Sequence, residues 1–102
     1  MELKDQNFHE EIKKGLVLVD FYATWCGPCK MMHPIIEKIE SKYKDVKVIQ
    51  VDVDRHDDLA HEYGIMSIPT LCFMKDGEIK EKNIGFTQQE ELERWIQNYQ
   101  GE

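Results

Sequence analysis

The sequence predicts an α/β fold built on a central mixed sheet, and three observations carry that prediction. Runs rich in β-formers alternate with stretches of helical periodicity along nearly the whole chain. A long helical stretch between two core strand runs calls for a crossover that joins parallel strands. The last two strand runs flank Asp76-Gly77, a strong hairpin signal that adds an antiparallel pair. The expected content is about five strands and about four helices, in the order β-α-β-α-β-α-β-β-α. Helices cover both faces of the sheet in a single domain over residues 1–102.

Leu3 is assigned to a short edge strand, and Asp5 is the expected N-cap of a short helix that buries Phe8 and Ile12 and ends at Gly15. Residues 16–22, Leu-Val-Leu-Val-Asp-Phe-Tyr, show little polar alternation and read as a strand covered on both faces. From Cys26 to about Tyr43, apolar residues at Met31, Met32, Ile35, Ile36 and Ile39 give an amphipathic helix with Pro34 inside it, where a kink is expected. Residues 46–53 form a second core strand, and residues 57–63 a short helix stopped by Gly64. Strands follow at 70–75 and 78–84. Thr87-Gln88-Gln89-Glu90 reads as a capping box opening a last helix with Leu92, Trp95, Ile96 and Tyr99 on its inner face.

Twenty Asp and Glu against thirteen Lys and Arg leave a formal charge of −7. That balance argues against nucleic acid or an anionic membrane as partner and fits a solubility role. No apolar run approaches the ~18 residues of a membrane helix. The opening Met1-Glu2-Leu3-Lys4-Asp5 has neither the basic region nor the apolar stretch of a secretory signal. A cytoplasmic location is expected, with a mature secreted form as the alternative.

Three cysteines cannot all pair within one chain. Cys72 stands alone in an apolar strand and reads as a small core residue. Cys26 and Cys29 are two residues apart, a spacing that in a reducing compartment points to redox or metal chemistry. Zinc would need four ligands, and beyond the pair only His33 is near; haem attachment would need His where Lys30 stands. No metal is expected. His9, His56 and His61 read as solvated.

The dithiol reading is physically direct. Trp25-Cys26-Gly27-Pro28-Cys29-Lys30 lies where a core strand ends and a helix begins. Unpaired N–H groups and positive partial charge at the helix N-terminus favour a thiolate, the attacking species in disulfide exchange. Cys26 precedes the first turn and is expected to be exposed, as the nucleophile. Cys29 lies within that turn, more shielded, as the resolving thiol. Pro28 suits a first turn, where its missing N–H costs nothing. Neutral Gly27-Pro28 puts no cation beside the thiolate, which suits a reductant better than an oxidant. Asp20 ends the apolar run that points at the cysteines, so burial would raise its pKa and let it exchange a proton with Cys29. Trp25 is expected to be partly exposed beside the dithiol, with Ile68, Ile84 and Gly85 completing a platform.

Residues 19–23 (Val-Asp-Phe-Tyr-Ala), the Trp25–Lys30 motif, Pro34, Tyr63-Gly64-Ile65, Ile68-Pro69-Thr70 and Gly85 together resemble the thioredoxin family, in order and at the family's intervals. The resemblance spans nearly the whole chain. It implies a thioredoxin fold and a general protein-disulfide reductase with no bound cofactor. It further implies a monomer, recharged by a thioredoxin reductase dependent on NADPH or ferredoxin. It also implies that Pro69 follows a cis bond and faces the dithiol, with the backbone of Ile68 pairing with an extended substrate. Trp25, Gly27, Pro28, Ile68, Pro69, Ile84 and Gly85 would form the docking surface. The chain departs from the family pattern at Gln50, where a Lys often stands near the buried carboxyl, and at Tyr22, where Trp is frequent. The rival readings are a non-enzymatic binding module on the same fold and an oxidase or isomerase.

Overall fold

A computed structural model describes residues 1–101. Its elements are α1 (Phe8–Glu11), β1 (Leu16–Tyr22), α2 (Gly27–Lys42), β2 (Val46–Asp52), α3 (Asp57–Glu62), β3 (Thr70–Lys75), β4 (Glu78–Ile84) and α4 (Gln89–Tyr99). The strands form one mixed sheet in the order β2-β1-β3-β4. β1 runs parallel to β2 and antiparallel to β3, and β3 pairs antiparallel with β4. Among the described residues no helix is long and apolar enough to cross a membrane.

The side-chain parity of β1 divides the core into two layers. Val17, Val19 and Phe21 point to one face, where they meet Phe8, Ile12 and Leu59 from the α1 and α3 side. Leu18 points to the other face, against Met32, Ile36 and Ile39 of α2 and Leu92, Trp95 and Ile96 of α4. Asp20 shares the parity of Leu18 and is therefore turned toward α2. Ile39 is fully enclosed between sheet and helices. Ile39→Ala is expected to cost about 2–5 kcal/mol through lost burial and the cavity left behind. A guanidinium titration is the check, and an unchanged midpoint would mean that this layer repacks freely.

Asp76 and Gly77 both have positive φ, the geometry a two-residue type I′ hairpin demands. Local cues failed at several element ends. The edge strand expected at Leu3 shrinks to a single parallel bridge, Glu2 to Gln50, flanked by hydrogen bonds from Leu3 N–H to Gln50 and from Gln50 N–H to Met1. The sheet thus has four strands plus that bridge. Asp5 does not cap α1; Asn7 does, its side chain accepting from Glu10 N–H. The capping box at Thr87 does not form. Thr87 is buried, its hydroxyl accepts from Asn83 and donates to the Gly85 carbonyl, and α4 begins after Gln88. β2 stops at Asp52, one residue early. Met31 is 62% exposed while Met32 is fully buried, so only Met32 belongs to the packed stripe of α2. His56 is only half-exposed, its ring nitrogen 3.0 Å from the Leu3 carbonyl oxygen.

Candidate active site

The site forms where β1 ends and α2 begins. Cys26 has extended backbone and sits at the N-cap of α2, where its Sγ accepts a hydrogen bond from Cys29 N–H at 3.2 Å. A sulfur thus takes one of the orphan donors of the helix end. Pro28 occupies the first turn, and no acidic residue stands there to oppose a thiolate. Cys26 and Cys29 are joined as a disulfide, their Cα atoms 5.3 Å apart. Both are only 5% exposed. The expectation of an exposed Cys26 is therefore corrected for the oxidised pair: its sulfur is turned onto Cys29, and Ala23 and Ile68 pack beside the two.

The Ile68–Pro69 peptide is cis. The Ile68 carbonyl oxygen lies 3.9 Å from Cys26 Sγ. Pro69 is buried and its carbonyl accepts from Gly85 N–H at 2.7 Å. Gly85 adopts φ +101°, which is costly for any residue with a side chain. Two segments therefore meet at the dithiol, the start of α2 and the 68–69 loop, and Gly85 after β4 is bonded to the second of them. Trp25 is 67% exposed, and its indole N–H donates to Asp54 at 2.7 Å, which fixes the ring orientation. Gly27, Pro28 and Ile84 are exposed and Ile68 half-buried. Met66 and Phe86 add exposed apolar surface on the 68–69 and β4 segments. Sequence reasoning missed both; their only signal was position, two residues before Ile68 and one after Gly85.

Behind Cys29 lies a cavity of about 170 Å³ lined by Asp20, Cys29, Lys30, His33, Gln50, Glu2 and Tyr22, with Ala23 and Thr24. Asp20 is 1% exposed, and its Oδ1 has no hydrogen-bond partner among the described residues. Burial first, and the Glu2 carboxylate second, push its pKa up to about 7. Gln50 is the register partner of Asp20 across β1 and β2, but its amide lies 3.3 Å from His33 Nδ1. Cys72 is free and buried in the opposite layer, where loss of hydration pushes its thiol up to about 11. An inert core cysteine is what such a setting makes.

A disulfide closed across two intervening residues at a helix N-terminus, with a buried carboxyl behind it on a mixed α/β sheet, is the site of a dithiol–disulfide oxidoreductase. The chain belongs to the thioredoxin family, whose model it matches over residues 1–98. It is 44% identical to thioredoxin from Bacillus subtilis, over 93% of this chain and 92% of that protein. It is 46% identical to thioredoxin from Listeria monocytogenes, over 96% of each. A solved structure of a mutant thioredoxin from Halobacterium salinarum superposes with a TM-score of 0.88 at 35% identity, covering 97% of this chain and 88% of that one. The protein is accordingly a protein-disulfide reductase working through a Cys pair.

Proposed function

We propose that Cys26 is the nucleophile, Cys29 the resolving thiol and Asp20 the proton acceptor. The supporting observation is that Cys29, and not Cys26, lines the cavity that Asp20 also lines, and that Asp20 Oδ1 has no hydrogen-bond partner among the described residues. In the reduced protein the Cys26 thiolate attacks one sulfur of a substrate disulfide. A Cys26–substrate disulfide forms and the first substrate sulfur leaves as thiolate, to be protonated by water. Cys29 passes its proton to Asp20 and attacks Cys26 Sγ. The Cys26–Cys29 bond forms as the Cys26–substrate bond breaks, the second substrate sulfur leaves as thiolate to be protonated by water, and two electrons have moved from protein to substrate.

Trp25, Gly27, Pro28, Ile68, Pro69, Ile84 and Gly85 supply the docking surface in this reading, with the Ile68 carbonyl beside Cys26 as the backbone contact for an extended chain. Residues 1–102 act as a single-domain monomer in the cytoplasm, where a reducing environment sustains the dithiol. A thioredoxin reductase, drawing on NADPH or ferredoxin, returns the electrons.

Cys29→Ser is expected to accumulate a stable mixed disulfide with a disulfide-containing protein, because the attacking thiol of the second step is gone. Cys26→Ser is expected to trap none. Non-reducing electrophoresis with mass spectrometry reads both. Trapping by Cys26→Ser and not by Cys29→Ser would reverse the assignment.

A further inference from the structure

The cavity beside Cys29 holds a second carboxyl that the reaction above does not use. The parallel bridge from Glu2 to Gln50 and the register of Gln50 with Asp20 put these residues in one row across three adjacent segments. Side chains in such a row leave the same face of the pleat, and all three line the cavity. Glu2 is only half-exposed, and its Oε2 accepts a hydrogen bond from the Tyr22 hydroxyl. Burial, and then this bond to Glu2, raise the Tyr22 pKa above its ordinary value, so the hydroxyl keeps its proton and the clamp persists.

We propose that Glu2, clamped by Tyr22, is a positioning residue that sets the pH at which Asp20 releases its proton. Two carboxyls share one cavity, and a carboxylate on Glu2 opposes the appearance of a second negative charge on the buried Asp20. Little on the cavity wall cancels that opposition. From β2, Gln50 contributes a neutral amide, and Asp52 adds negative charge beside Tyr22. From β3, the residue opposite Asp20 is Leu71. From α2, Lys30 and His33 line the cavity but are exposed to water, and His33 Nε2 lies 3.7 Å from Glu37. The charge of Glu2 is also the second cause, after burial, of the raised Asp20 pKa. The catalytic consequence rests on Asp20 being the proton acceptor; the hold of Glu2 on Asp20 does not.

The test is a carbon-detected NMR titration of the Asp20 carboxyl in wild type, Glu2→Gln and Tyr22→Phe, run beside pH–rate profiles of the same proteins. Glu2→Gln keeps an acceptor for Tyr22 and removes the charge, so the Asp20 midpoint is expected to fall by roughly half to one pH unit. Tyr22→Phe frees the carboxylate to turn toward water, and a smaller fall in the same direction is expected. A merely structural role would change stability and leave the midpoint in place. Midpoints unmoved in both variants would overturn the inference. A midpoint that falls while the rate profile stays put would uphold the control by Glu2 and remove Asp20 from the proton-acceptor role.

Discussion

Cys26→Ser is expected to reduce insulin in the presence of dithiothreitol no faster than dithiothreitol alone. The loss is on the order of 10³-fold or more, the scale reached when a covalent nucleophile is removed. A serine hydroxyl is not ionised near neutrality and forms no bond equivalent to the mixed disulfide, so neither step can begin. The fold is expected to survive. Cys26 is the N-cap of α2, its sulfur accepting from Cys29 N–H, and Ser is among the preferred N-cap residues. Circular dichroism and a denaturant titration separate inactivity from unfolding. Wild-type turnover in a folded Cys26→Ser protein would show that the nucleophile is another group.

Asp20→Asn is expected to raise stability and slow turnover together. The folded-state pKa of about 7 lies above the ordinary Asp value of 3.8, so between the two the native protein holds a proton that the unfolded chain has released. Stability is therefore highest below about pH 4 and falls as pH rises to about 7, by up to about 4 kcal/mol for a shift of this size. Above pH 7 the native state carries a buried charge that Asn lacks. Asp20→Asn is expected to exceed wild type by about 2–4 kcal/mol at pH 8 and to match it near pH 4. Guanidinium titrations at the two pH values are the check, and an equal difference at both would dispose of the raised pKa. Turnover near neutrality is expected to fall on the order of 10²-fold, the usual worth of a placed general base. Unchanged turnover would leave Asp20 a buried charge without a catalytic part.

The four strands of the sheet and the Cys pair were legible because each depended on short-range pattern. The apolar run at 16–22 could be covered on both faces only inside a sheet, and Asp76-Gly77 tolerates the positive φ of a tight hairpin. Cys26 and Cys29 needed only their spacing and a strand-to-helix junction. The misplaced ends have a different origin. Asp5 and Thr87 carry the side chains of caps, yet Asn7 holds the first helix and Thr87 is drawn inward by Asn83 and Gly85. Capping competes with every other acceptor and donor within reach, and those are assembled only by folding.

By itself the sequence determined the α/β class, the two covered faces of the first core strand, the dithiol at its helix and a buried carboxyl aimed toward it. Periodicity and motif spacing encode these locally. Only the tertiary structure decided that Glu2 and Tyr22 join Asp20 in one cavity, that Cys26 is as buried as Cys29 in the oxidised state, and that Gln50 turns to His33. Those facts depend on a bridge between the chain start and β2, and on water excluded by segments far apart in sequence. Desolvation, the largest cause acting on Asp20, exists only once they have packed together.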